Sequence, residues 1–297
     1  MLLDEHRERG RIDLRRFYAR RMRRLLPASL LVIALTSVLT PFVVPRVERS
    51  SFVGDARGSL LYVANWRFIA SGQSYFDLFT SPSPFRHLWS LAIEEQFYLC
   101  WPFLMAWALR RGGRGAVGGA SLILAGLSTG WMAWLAFSAD LPASGDPSRL
   151  HFGTDTHAMG LFVGAAGAML WQPWRAAVTP SQSARLAWDA AGLGALCLLL
   201  GAFFVIEERE PLLFRGGYLA LSILCAVLHT LRDRLSAEQV AHLGSQLPLM
   251  VRGALFDQWR PGHKAKKIHK EAEFLDLIRR RLPPSVKVEP KSAAIAI

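Results

Sequence analysis

Cysteine is scarce in this chain, and so is acid. Among 297 residues there are three cysteines, Cys100, Cys197 and Cys225. Each lies inside an apolar run, none has metal-ligand spacing, and three cannot build a disulfide framework. They read as small core residues. The first 24 residues are charged rather than apolar, so no cleavable signal peptide is legible there. The glycine- and arginine-rich stretch 110–115 has no GK[ST] ending, which excludes a phosphate-cradling P-loop. No internal repeat is visible. A secondary transporter is the weakest class, because intramembrane charges are few and no pair of interrupted apolar segments is seen. Asp and Glu total 23 against 35 Lys and Arg, a net charge of +12. That surplus divides evenly, +6 up to residue 231 and +6 from Arg232 onward.

Apolar residues are plentiful. They make up 52% of the chain, with ten Trp and 17 Phe, and the mean hydropathy is +0.22. Six stretches are long or apolar enough to be read as spans: 25–44, 88–109, 117–138, 152–172, 188–206 and a short last one at 216–231. The expected fold is therefore all-α, a polytopic membrane helix bundle of about six spans with a small soluble helical C-terminal tail. The basic segments 1–24, 110–114, 173–187 and the tail after 231 fall on one side, which the positive-inside rule makes cytoplasmic. Loops 139–151 and 207–215 fall outside. The long loop 45–86 is also outside, with a short interfacial helix around 52–69.

The segment 87–101, HLWSLAIEEQFYLCW, puts acids into an apolar helix. At 100° per residue, His87, Ser90, Glu94, Tyr98 and Trp101 fall within roughly 80° of one another, and Glu95 lies about a quarter turn away. Ionisable groups entering a bilayer are costly and usually face a bundle interior or a wet cavity. The stripe is thus a candidate site entered from the outer face, where His157, at the start of the 152–172 span, would meet it. The competing reading is a helix end at the headgroups, with Trp and Tyr as an interfacial belt.

Two basic regions carry further readings. Arg16, Arg20 and Arg24 recur every fourth residue and share a helix face. They fit a phosphate-bearing ligand, because guanidinium forks match phosphate oxygens, or a positive anchor against anionic lipid. From about Leu224 the pattern becomes that of a soluble amphipathic helix, with Ser236 and Gln239 placed for a capping box. The charged run 263–282 reads as a solvated helix face rather than a nucleic-acid contact, and 284–297 as a disordered tail.

Three motifs in order, FYARRMRRLLPA at 17–28, HLWSLAIEEQFYLCWP at 87–102 and FGTDTHAMGLFVGA at 152–165, resemble the membrane-bound acyltransferase family 3. These are bacterial O-acyltransferases that modify cell-surface sugars. The resemblance covers roughly residues 1–224. It implies transfer of an acyl group, often acetyl, from acyl-CoA on the cytoplasmic side to a hydroxyl of an extracytoplasmic carbohydrate, with no bound cofactor. It places Arg20, Arg21 and Arg24 on the CoA side. Glu94, Glu95, Ser90, Tyr98 and His87 go to the catalytic, acceptor side. It also implies a bacterial inner-membrane protein with both ends cytoplasmic, whose partners are acyl-CoA, the carbohydrate acceptor and lipid, not nucleic acid.

The chain departs from the family pattern twice. The family's N-terminal catalytic His has no counterpart after Met1, and the family often has Arg where His157 stands. Residues 225–283 resemble instead a small uncharacterised bacterial helical domain. The expectation is a partial acyltransferase domain at 1–224, joined near 224–227 to a fragment of that second domain and impaired in catalysis. The alternative is a non-catalytic membrane binding or scaffold protein.

Overall fold

The computed structural model describes residues 2–43, 49–76, 83–170, 182–233, 235–257 and 259. Every regular element among them is helical. In order they are α1 (Leu2–Arg9), α2 (Leu14–Val43), α3 (Arg49–Leu60), α4 (Ala64–Ala70) and α5 (Leu88–Ser138). Then come α6 (Ser148–Phe152), α7 (Thr154–His157), α8 (Met159–Leu170) and α9 (Gln182–Val205). A π-helical turn (Leu213–Gly217) leads into α10 (Tyr218–Arg232), α11 (Ala237–Ser245) and α12 (Leu249–Phe256).

Among the described residues four helices are long and apolar enough to cross a bilayer: α2, α5, α9 and the 213–232 segment. Their outward faces carry Leu31, Val38, Phe42, Leu122, Ile123, Phe137, Leu193 and Phe204 in the open. In water such a surface would aggregate; in lipid tails it is solvated. The expected count of about six is not reproduced. α8 has only 12 described residues. The expected spans 88–109 and 117–138 form one 51-residue element that breaks at Gly112 (φ −155°, ψ 21°) and Gly113 (φ 63°, ψ −149°). One cavity wall takes residues from both arms, Leu99 to Leu104 on the first and Leu124 to Trp131 on the second. Residues that far apart on one straight helix would be tens of ångströms apart, so the arms fold back on each other. The basic glycine turn expected at 110–115 is this reversal.

Three further expectations are corrected. α2 does not begin at the apolar run but at Leu14, so Pro27 and Pro41 both lie within the helix and the arginines ride on it. The single interfacial helix expected near 52–69 is two helices turned inward, with Asp55, Ala64, Asn65 and Phe68 fully buried. Phe68, Phe85, Leu88, Ala92, Phe152 and Ile33 form one core cluster there. Cys100 and Cys197 are exposed and so are not core residues, while Cys225 is half-buried and packs against the cluster around Leu228.

Polar ties position the short helices. Arg149 grips Asp155 with two nitrogens, at 3.0 and 2.6 Å. Trp131 Nε1 donates to the same carboxylate at 2.8 Å, and Ser128 Oγ donates to the Asp155 carbonyl at 2.7 Å. α7 is thereby fixed to the second arm of α5. The capping box at Ser236 and Gln239 forms as expected, both halves present. His229 and the buried Arg232 bond to backbone carbonyls of Ala254, Leu255 and Asp257, tying α10 to α12. Of the basic turn expected at 173–187, residues 173–181 lie outside the described residues and 182–187 open α9; the charged run 263–282 and the tail 284–297 also lie outside them.

A side chain on Gly113 would meet no atom within 4 Å, so its requirement is purely conformational. Its dihedrals belong to a region open only to glycine, and Gly113→Ala should cost about 1–3 kcal/mol. Gly126, helical with equally open surroundings, should tolerate Ala or gain about 0.5–1 kcal/mol from it. Thermal midpoints of the two variants in detergent check the contrast.

Candidate active site

α2 and the first arm of α5 run antiparallel. Tyr18 Oη donates to the Leu99 carbonyl at 2.7 Å, Arg21 meets Glu95, and Ile33 packs in the cluster with Leu88. Within this register Arg21 holds Glu95 with both prongs of its fork, Nε at 3.1 Å and Nη2 at 2.5 Å. The same guanidinium lies over the Tyr98 ring, 3.3 Å from its centroid. Both partners of the ion pair are about four-fifths buried. A planar, always charged group that bonds two oxygens and stacks on an aromatic face is something lysine cannot supply.

This arrangement corrects the expected separation of arginines on one side of the bundle from acids on the other. Arg21 and Glu95 are at the same depth, because α2 continues as helix below the apolar run and lies alongside α5. Glu94 is half-buried and within electrostatic reach of Arg21, Asp257 and Glu95. The helical-face argument separated Glu95 from Glu94 and Tyr98. In the structure Tyr98 and Glu95 share Arg21, whose long side chain spans the angle between them. Ser90 and His87 are exposed, and His87 precedes α5 without making a side-chain cap. Arg20 pairs with the buried Glu5 of α1 at 3.4 Å, while Arg24 is exposed.

Sequence reasoning missed the polar hub on the opposite face of α5. Gln96 donates to the Tyr62 carbonyl at 2.9 Å and to Asn65 Oδ1 at 3.0 Å, and accepts from Thr154 Oγ1 at 2.6 Å and Trp66 Nε1 at 3.2 Å. Asn65 in turn donates to Phe152 O and Thr154 Oγ1. An amide directly after two acids in a motif reads as spacing; only the neighbouring elements reveal it as the joint of α4, α5 and α7. Arg149, Asp155 and His151 were likewise overlooked, although their run RLHFGTDTH overlaps a quoted motif.

At the start of α5 the rings of Tyr75, Trp89, His151 and His157 come together, with His151 centred 4.0 Å from Tyr75 and 4.5 Å from Trp89. His157 reaches the first turn of α5 through Trp89 at 5.4 Å, a residue outside the expected stripe. Burial, with the neighbouring His157 adding to it, pushes the His151 imidazole down to about 3, so it is neutral at physiological pH. Groups of three or more potential metal ligands are absent among the described residues.

A membrane helix bundle with a buried arginine–glutamate fork beside a tyrosine defines a site built for polar chemistry inside an apolar frame. The chain belongs to the family described as "Acyltransferase domain", which matches residues 2–246. A family described as "Uncharacterized conserved protein (DUF2267)" matches residues 204–297 and overlaps the first. Among curated relatives, Bacillus subtilis YrhL is 39% identical over 220 residues, 73% of this chain and 34% of that protein. The peptidoglycan O-acetyltransferase OatA of Listeria monocytogenes is 38% identical over 230 residues, 77% of this chain and 36% of that one. The O-acetyltransferase OatA of Staphylococcus aureus is 32% identical over 226 residues, covering 75% and 36%. The chain thus spans about a third of the length of these relatives. No solved structure matches it.

Two outcomes test the geometry. Arg21→Met and Glu95→Gln should each destabilise the bundle, and the double variant less than their sum, with a coupling of about 1–3 kcal/mol in a thermal double-mutant cycle. His151 has a depressed folded pKa, so below its unfolded value of 6.5 the unfolded chain binds the extra proton. Stability is then lost as pH falls from about 6.5 towards 3, by at most about 1.4 kcal/mol per unit. His151→Phe should flatten that slope in thermal midpoints measured from pH 7 to 5.

Proposed function

We propose that the chain is a membrane O-acyltransferase. It moves an acyl group, in the first instance acetyl, from acyl-CoA to a hydroxyl of an extracytoplasmic cell-surface carbohydrate. Family membership and the printed activities of the OatA relatives support the reaction class. The observation that carries the site is the meeting of the arginine motif with the acidic motif at Arg21 and Glu95. A donor-side element and an acceptor-side element in contact shorten the path an acyl group must travel.

Roles follow from which charges are already occupied. Arg21 is committed to Glu95 and Tyr98 and holds the motif together. Arg24, exposed, and Arg20, shared only with Glu5 at 3.4 Å, are the guanidinium groups left to bind the CoA phosphates. Glu94, not gripped by a fork, is the carboxylate that takes the proton from the acceptor hydroxyl. As that oxygen bonds to the acyl carbon, the carbon–sulfur bond breaks and the departing thiolate takes up a proton, leaving free CoA and an ester. The protein sits in the bacterial inner membrane with the α1 end cytoplasmic.

Purified chain in detergent should bind acetyl-CoA saturably. Arg20→Ala or Arg24→Ala should weaken it about tenfold or more, since a hydrogen bond to a charged group contributes about 1.5–3 kcal/mol. Glu94→Gln should lower acetyl transfer to soluble peptidoglycan fragments by about 10²–10⁴-fold, with little change in thermal midpoint. Glu95→Gln should act mainly through the midpoint. Absence of saturable acetyl-CoA binding would remove this reading in favour of a non-catalytic membrane scaffold.

A further inference from the structure

A cavity of about 940 Å³ lies between the two arms of α5, and neither acyl transfer nor the arginine–glutamate fork uses it. Small-molecule pockets run from roughly 300 to 1,000 Å³, so this one is large. Trp101 and Phe162 line it, and the exposed Leu99 and Leu127 flank its opening. Those two leucines belong to the spanning arms, so the opening is a groove that faces lipid tails. At a helical rise of about 1.5 Å per residue, the lining begins about 12 Å from the reversal at Gly112 and Gly113, with Leu104. It ends about 27 Å from the reversal, with Trp131. The groove is thus about 15 Å long, half of the roughly 30 Å hydrocarbon core.

Polarity is distributed unevenly along this length. Gln96, Ser128, Thr154 and Asp155 all lie at the end remote from the reversal. Their polar atoms are already engaged. Thr154 Oγ1 donates to Gln96, Ser128 Oγ to the Asp155 carbonyl, and Trp131 Nε1 to the Asp155 carboxylate. The rest of the described lining is hydrocarbon, aromatic rings and the thiol of Cys100. A polar end that is closed on itself asks for no hydrogen bond from a ligand, and the remaining walls match a chain of methylene groups. Beside the polar end Arg149 and Asp155 pair at 2.6 Å, each about one-third exposed. The Arg149 guanidinium also stands 5.4 Å from the ring centre of Trp66, which lines the groove. This rim carries one charge of each sign, unlike a basic cluster suited to anionic headgroups.

We propose that the groove binds one acyl chain of a zwitterionic glycerophospholipid, with its headgroup at the Arg149–Asp155 pair. Length selects the chain, because the groove is one leaflet deep and a polyprenyl chain that crosses the midplane would overrun it. Neutrality of the rim selects the headgroup. Among lipid tails the gain on binding is contact rather than removal from water, and a rigid groove left unfilled forfeits dispersion contacts on both walls. The bound chain ties the two arms of α5 together and backs Gln96, where α4, α5 and α7 join. This site is independent of acyl transfer and stands whether or not the chain catalyses it.

The test uses the full chain, delipidated in detergent and titrated with phosphatidylethanolamine, with native mass spectrometry counting the lipids retained. Wild type should retain one lipid per chain, saturably. Cys100→Trp and Leu127→Trp, at exposed positions on the two walls, fill the groove and should each weaken retention about tenfold or more. Leu193→Trp, exposed on α9 away from the groove, should leave it unchanged. Thermal midpoints check that the variants fold, and either groove variant suffices. Independently of any variant, lysophosphatidylethanolamine, with one chain, should bind within about threefold of the two-chain lipid, and glycerophosphoethanolamine, with none, should not bind. Equal retention by wild type and the groove variants would mean a nonspecific lipid shell and would overturn the proposal. So would no retention by wild type, or a tenfold preference for phosphatidylglycerol. Displacement by a polyprenyl phosphate at tenfold lower concentration would overturn it in favour of that amphiphile. A lipid-free dimer broken by the groove variants would overturn it in favour of a second copy of this chain.

Discussion

The fork between Arg21 and Glu95 is the constraint on which the architecture turns. Charges at this depth are tolerated only when paired, and breaking such a pair leaves an uncompensated ion among apolar helices. The pairing therefore fixes both the rotation of α2 and its register against α5. Tyr98 beneath the guanidinium adds a second, geometric restraint. Once α2 is locked, the other face of α5 is free to meet α4 and α7 through Gln96, and its first turn to meet the histidines through Trp89. One helical segment of about three turns thus organises three separate polar contacts on different sides.

The helical class was legible because periodicity and long apolar runs depend only on the local chain. So was the acidic motif as a polar stretch within an apolar helix. The ion pair of Glu95 with Arg21 was not. Helical angle alone assigned Glu95 to a minor position, because it takes no account of a side chain as long as arginine arriving from another helix. Gln96, Asn65 and His151 were opaque for a related reason: each is an ordinary polar residue until its partners, distant in sequence, are brought up by the fold. The cysteines failed in the opposite sense. In a membrane protein apolar surroundings in sequence mean lipid as readily as core, so Cys100 and Cys197 turned out to be exposed.

The C-terminal helices join the bundle differently. α10 belongs to the apolar frame at its beginning and to the small α11–α12 unit at its end, where Arg232 and His229 cap the carbonyls of α12. The overlap of the two matching families at residues 204–246 has a physical counterpart in this shared helix. Leu228, fully buried, packs with Leu196 and Leu199 of α9 on one side and with Val240, Val251 and Leu255 on the other. Such a helix transmits its orientation to both halves.

The reversal at Gly112 and Gly113 bears on how a chain of this kind tolerates rearrangement. A hairpin whose two arms both traverse the bilayer enters and leaves by the same leaflet. It can be gained, lost or displaced as a unit without inverting the sidedness of whatever follows, whereas removal of a single arm would turn every later segment over. Two adjacent glycines thus make parity, rather than length, the quantity that such a sequence must conserve.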